Sequence, residues 1–157
     1  HMKKIKGYTA FHRFLIDGAP YGGLLLGPVA DLGNFMKAYL SGVTFNGHHL
    51  LETSSIAEML MPQRNNRGEE LSPEGHEMPQ RIGLGWHLAG SEETRSCYHL
   101  GGGAGYRNEV RIYPQLGYGI GVMGNETSYD TRAITSMIVS AQANERGETD
   151  LAKQAHP

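Results

Sequence analysis

The apolar positions of this chain fall into stretches of different period. Val29, Leu32, Phe35, Met36, Tyr39 and Leu40 recur at three- and four-residue steps, the spacing of one helix face. Gly27-Pro28 and Asp31 mark the start of that helix and Gly42 its end. A second helix is predicted from Thr53 or Ser54. Ser55 and Glu58 there have capping-box spacing, Ile56, Met59 and Leu60 form the stripe, and Pro62 stops it. Between Pro62 and Arg81 the period vanishes in a polar stretch with Pro62, Pro73 and Pro79, a loop long enough to be functional or mobile.

Beyond Arg81 the period drops to two, and strands are predicted over Ile82–Leu88, Arg95–Leu100, Arg107–Tyr113 and Tyr118–Gly124. Arg107, Glu109 and Arg111 alternate with Asn108, Val110 and Ile112, as in a half-buried antiparallel strand. Pro114-Gln115-Leu116-Gly117 supplies the turn into the last strand. There Tyr118, Ile120 and Val122 face one way and Gly119 and Gly121 the other, which lets a neighbour pack close. A final helix is expected from Asp130 to Arg146, with Ile134, Met137, Ile138 and Ala141 as its core stripe and Gly147 as its stop. The order implies an α+β fold, an antiparallel sheet of about four strands flanked by helices. One domain is expected over residues 3–147, with His1-Met2 read as a cloning scar and 148–157 as a disordered tail.

Composition narrows the function. The 157 residues carry 14 Lys+Arg against 16 Asp+Glu without a basic stripe, which argues against a nucleic-acid partner. No run reaches the roughly 18 apolar residues of a membrane span. Glycine is in excess, and eleven of the 22 fall between Gly83 and Gly124. Several patterns in that half resemble chemistry without its context. Gly119–Gly124 spells GxGxxG but within a strand, whereas a dinucleotide site needs those glycines in a strand-to-helix turn. Gly101–Gly105 runs into a strand, so no helix dipole meets a bound phosphate. The eight histidines include the pair His48-His49 and the scattered His12, His76, His87 and His99. Neither HExxH nor CxxC occurs, and no metal or other cofactor is expected. Cys97 reads as a small buried hydrophobe and Trp86 as a core anchor.

One constellation survives, Cys97-Tyr98-His99-Leu100-Gly101-Gly102-Gly103-Ala104-Gly105-Tyr106, at the end of one strand and the turn to the next. A titratable imidazole beside bare backbone N–H groups is suited to hold a carboxylate or a developing oxyanion. A tight glycine hairpin with His99 on the surface accounts for the same string.

These residues also carry a resemblance. The segments are Gly83-Leu84-Gly85-Trp86, His99-Leu100-Gly101-Gly102-Gly103-Ala104-Gly105-Tyr106, and Arg111-Ile112-Tyr113-Pro114 through Gly117, Gly119 and Gly121 to Gly124-Asn125. Together they resemble the C-terminal part of the serine beta-lactamase-like family, which includes class C beta-lactamases, D-alanyl-D-alanine carboxypeptidases, D-aminopeptidases and esterases. Upstream, Gly22-Gly23-Leu24-Leu25 with Asp31-Leu32 to Phe35, and Leu50-Leu51 through Ala57-Glu58-Met59-Leu60 to Pro62-Gln63, are similar to the family's corresponding segments. The likeness runs from about Gly7 to Asn144.

It implies the C-terminal half of the beta-lactamase/transpeptidase-like fold, in which SxxK, YxN and KTG or HxG motifs meet in one cleft. His99-Leu100-Gly101 matches the HxG form. The resemblance thus makes His99, Leu100, Gly101, Gly102 and Gly103 the substrate-binding strand, with the Gly102 N–H as one oxyanion donor. No serine in the chain is followed by lysine three residues on, and Tyr106-Arg107-Asn108 matches YxN only by coincidence of position. The expectation is therefore a fragment of a serine hydrolase of amide, ester or beta-lactam bonds, inactive alone. It would meet its small-molecule or peptide substrate only together with an N-terminal half. The alternative is a non-catalytic ligand- or peptide-binding module of the same fold. Family members extend the sheet beyond the strand matching Tyr118–Gly124, so that strand is expected to be an open edge through which the chain homodimerises.

Overall fold

The computed structural model describes residues 2–4, 7–9, 27–42, 47–49, 51–73, 80–103 and 105–146. Gly22–Leu25, His12, His76, Pro79, Ala104 and the 148–157 tail lie outside these residues. The architecture is α+β. Its main sheet has five strands, all antiparallel, in the order β3 (Arg81–Ile82), β4 (His87–Ala89), β5 (Ser96–Gly103), β6 (Tyr106–Tyr113) and β7 (Tyr118–Gly124). Ahead of it, β1 (Met2–Lys4) pairs with β2 (Gly7–Thr9) in a separate hairpin that the periodicity did not announce. Three helices complete the described residues: α1 (Val29–Ser41), α2 (Thr53–Met59) and α3 (Thr131–Arg146).

The helix boundaries follow the expected punctuation. Gly42 ends α1 in the left-handed conformation (φ 62°) that glycine adopts without strain. Asp130 begins α3, its carboxylate accepting from the backbone N–H groups of Arg132 and Ala133 at 3.0 and 3.1 Å. The capping box expected for α2 is not formed. Glu52 is the N-cap and makes no side-chain cap bond, which leaves Ser55 inside the helix.

The strand expected over Ile82–Leu88 is two strands. Gly83 donates to the Trp86 carbonyl at 2.8 Å and Gly85 sits at φ 77°, so Gly83-Leu84-Gly85-Trp86 is a tight turn between β3 and β4. Gly83 is itself pressed against the Met59 carbonyl, where a side chain has no room. This added turn raises the strand count from about four to five. The first part of the long polar stretch, residues 63–71, is more ordered than its composition suggests. Gln63 N donates to the Ile82 carbonyl and Ile82 N to the Leu71 carbonyl, so residues 63–71 fold back along β3. Arg64 and Glu70 close the loop with an ion pair at 2.7 Å.

Helices cover both faces of the sheet. On one face α1 lies against β7, where Gly119 and Gly121 admit it. A Cβ on Gly119 would stand 2.8 Å from the Met36 sulfur, and one on Gly121 3.0 Å from Leu32 Cδ2. The core there joins Met36, Ile56, Leu60, Trp86, Leu88, Cys97 and Ile112. Trp86 is stacked by Phe35 and met edge-on by Tyr39. Val29, placed in the α1 stripe by its spacing, is exposed because it begins the helix and lies beyond the sheet contact.

On the other face α3 packs through Val139 on Tyr113, Ile120 and Val122. Its core stripe is not the expected one. Thr131, Thr135, Val139 and Ala143 are buried, whereas Ile134, Met137 and Ile138 are exposed, Met137 at 72%. The reason lies in what the sheet presents. Tyr113, Tyr118 and Tyr129 fill that side, so the small face of α3 seats closer than its bulkier apolar face.

Gly119→Val should therefore overpack the α1 contact and cost about 1–3 kcal/mol of stability. Urea unfolding of the variant, alone and combined with Met36→Ala, measures this; the second change should recover part of the loss.

Candidate functional site

Strand β5 positions the residues singled out by sequence, and its two halves differ. Ser96, Cys97 and Tyr98 are paired on one side with β4 (Ala89, Leu88, His87), and Cys97 and Tyr98 are paired on the other with Ile112 and Arg111 of β6. From His99 to Gly103 the strand pairs only with Val110, Glu109, Asn108, Arg107 and Tyr106 of β6. Among the described residues, no strand pairs with the other side of this half. The structure thus brings His99, Leu100, Gly101, Gly102 and Gly103 together as a half-strand whose second edge is unpaired among the described residues.

His99 is exposed, and its Nδ1 lies 2.9 Å from the Leu100 carbonyl oxygen. A carbonyl only accepts, so Nδ1 carries the proton and Nε2 is the nitrogen left to meet a ligand. His87 approaches the His99 ring with centroids 5.7 Å apart and stacks on Tyr98 at 5.4 Å. The glycines are informative because the fold does not require two of them, Gly101 and Gly102. Neither Gly101 nor Gly102 has a positive φ, and an added Cβ would meet nothing closer than 3.7 Å at Gly101 and 4.0 Å at Gly102. What their missing side chains provide is bare backbone at the surface. Gly105 is different, with φ 87° in the turn. Thr127 Oγ1 secures that turn, accepting from the Gly105 N–H at 2.8 Å and donating to the Gly103 carbonyl at 3.4 Å. Asn108, third residue of the YxN string, is structural: its Oδ1 accepts from the Gly124 N–H.

Sequence reasoning missed what lies on the α3 side. Glu109 is 1% exposed, and its Oε1 accepts from Arg111 Nε at 2.8 Å. Arg111 also donates from Nη1 to Ser96 Oγ at 2.9 Å and lays its guanidinium 4.2 Å over the Tyr98 ring. The alternation Arg107, Glu109, Arg111 marked only one side of a half-buried antiparallel strand. Glu109 and Arg111 lie on the α3 side and are retained as a pair through Glu109 Oε1, while Glu109 Oε2 has no hydrogen-bond partner among the described residues. The one available signal was Tyr113, which continues the same face with an aromatic ring. Next to this network a cavity of about 840 Å³ opens between α3 and the 70–72 segment, floored by Tyr98, Arg111 and Tyr113. Its walls include none of His99–Gly103.

Among the described residues, no group of three or more His, Cys, Asp or Glu side chains is placed to hold a metal ion. His48 and His49 are exposed. No helix of the described residues is long and apolar enough to cross a membrane. The GxGxxG string lies in β7, as a strand. No protein-family model, curated protein or solved structure matches the chain.

Cys97 is fully buried, and burial pushes its thiol up to about 12 against the opposing fields of Arg95, Arg111 and Arg81. It is inert in the folded state. Burial likewise raises the Tyr113 phenol to about 12. Both groups hold their protons more tightly when folded, so their contribution is intact below the ordinary values of 9.0 and 10.0 and is lost toward 12. The urea midpoint should accordingly fall between pH 9.0 and 12, and fall less in the double variant Cys97→Ala, Tyr113→Phe.

Proposed function

We propose that this chain supplies the substrate-binding strand of a serine beta-lactamase-like hydrolase, with His99-Leu100-Gly101 as its HxG motif. The observation that carries the reading is the edge of β5 from His99 to Gly103, unpaired among the described residues. There Gly101 and Gly102 lack side chains that the fold has room for. An extended acyl or peptide ligand adds to such an edge by main-chain hydrogen bonds. His99 Nε2 stands beside it to meet a carboxylate when the ring carries both protons, and the Gly102 N–H is positioned in sequence to serve as an oxyanion donor. The α+β architecture and the strand order β5-β6-β7 following the motif agree with this reading.

Acylation needs a serine activated by a base within hydrogen-bond reach. This sequence contains no SxxK, so the nucleophile would come from a segment or chain outside it. The same observation favours a second reading, a non-catalytic peptide-binding module of this fold. The two readings share the ligand and differ in whether a catalytic half joins it.

Self-association belongs to the proposal. Among the described residues β7 pairs only with β6, and Met123 on that edge strand is exposed. A second copy pairing through Tyr118–Gly124 would satisfy that edge. Multi-angle light scattering at rising concentration should show a dimer, and a monomer throughout would remove this element.

For the site, we expect the chain to leave nitrocefin and p-nitrophenyl butyrate unhydrolysed. Acetyl-D-Ala-D-Ala should raise its melting temperature saturably. His99→Ala and Gly102→Val should abolish that rise while leaving the free protein's stability within about 0.5 kcal/mol, as for surface substitutions. Turnover lost in His99→Ala would overturn the claim of inactivity. Absence of a saturable response to the peptide would overturn the binding strand itself.

A further inference from the structure

The cavity on the α3 side of the sheet has no role in the proposed function, and its chemistry is specific. Its volume of about 840 Å³ lies in the range of small-molecule sites, roughly 300–1,000 Å³. The floor is aromatic and cationic, made by Tyr98, Tyr113 and Arg111, while Leu71 and Ala89 give apolar wall and Arg132 stands on the α3 side.

The carboxylates around it are already engaged. Glu70 is bound by Arg64 at 2.7 Å, Asp130 accepts from two backbone N–H groups of α3, and Glu109 behind the floor holds Arg111. Arg132, by contrast, makes no ion pair among the described residues, although its charge is felt at the Tyr98 phenol. Thr135 on the same wall is 3% exposed, and its Oγ1 has no hydrogen-bond partner among the described residues. Burial raises the Tyr98 and Tyr113 phenols, so both remain O–H donors at neutral pH. The cavity therefore offers the Arg132 guanidinium, a second guanidinium on Arg81 that bonds the Gly90 carbonyl and makes no ion pair among the described residues, and several hydroxyls, beside aromatic and apolar walls.

We propose that this cavity binds a small aromatic carboxylate, its anion taken by Arg132 with the tyrosine hydroxyls and its ring by the Leu71, Ala89 and Tyr98 walls. An anion supplies the acceptors these donors lack, and charge-assisted bonds in a partly enclosed site are the stronger kind. A flat ring suits walls built from ring and methyl surfaces.

The test uses the full chain with benzoate as probe, followed by isothermal titration and thermal shift. Benzyl alcohol and inorganic phosphate separate the ring from the charge. Benzoate should bind saturably, and benzyl alcohol and phosphate each at least roughly tenfold more weakly, the effect of losing one charge-assisted bond or the ring contact. Arg132→Gln should weaken benzoate by a similar factor, Arg132→Lys by less, and Ser136→Trp, which fills the cavity from α3, should abolish binding. Arg132 is exposed and Ser136 half-buried on a helix whose packing face is formed by other residues, and circular dichroism of each variant checks that it folds. His99→Ala should leave benzoate affinity unchanged, so this site and the β5 edge stand or fall separately. The proposal is overturned if benzoate gives no saturable response, if phosphate or benzyl alcohol binds equally well, or if binding survives both Arg132→Gln and Ser136→Trp.

Discussion

The approach of α1 to β7 across two bare glycines is the constraint on which the rest of the sheet depends. With Met36 and Leu32 lying directly over Gly119 and Gly121, the helix reaches down to Ile112 on the neighbouring strand. That depth brings Met36 into one cluster with Leu88, Cys97 and Trp86, so a single apolar layer ties β4, β5, β6 and β7 together. Interiors are close-packed, and such a layer has little freedom to shift. Register follows from it: with Ile112 and Cys97 held on the α1 side, Arg111 and Tyr98 must point to α3.

The α3 face is the complement of that layer. It holds a buried ion pair, a guanidinium over a ring, and three tyrosines, all under a helix that turns small residues inward. An ion pair of this kind adds little net stability but costs several kcal/mol when one partner is removed, so it specifies an arrangement more than it strengthens one. The two faces thus divide the work, one giving close packing and the other a particular arrangement of charge beside open volume.

Much of this was legible from the chain. Gly42, Asp130 and the Pro114–Gly117 turn fixed element ends, because capping and turn geometry are local. The close contact at Gly119 and Gly121 was readable as a consequence of alternating glycine, although its partner α1 was not. Two failures share a cause. Periodicity measures which side chains are apolar, not which face a neighbour covers. Ile134, Met137 and Ile138 formed the more apolar stripe of α3, yet the space left by the tyrosines favoured Thr131, Thr135 and Val139. The alternation at Glu109 and Arg111 marked one side of a half-buried strand without showing that Glu109 is buried there. At the candidate site the string His99–Gly103 was evident, whereas its unpaired edge depends on β4 beginning only at His87, and that follows from the Gly83–Trp86 turn dividing an apparently continuous strand.

The shortness of β4 has a dynamic consequence. Strand β5 is held from both sides through Tyr98 and from one side beyond it, so one continuous strand spans two levels of local stability. Its first half is anchored with Cys97 in the apolar layer and opens only with the domain. Its second half can separate from β6 by losing a single ladder. Amide hydrogen exchange would therefore divide the strand near His99, a stiff root bearing a softer tip. A ligand added along that tip would supply the missing second ladder and extend the slow-exchanging region toward Gly103.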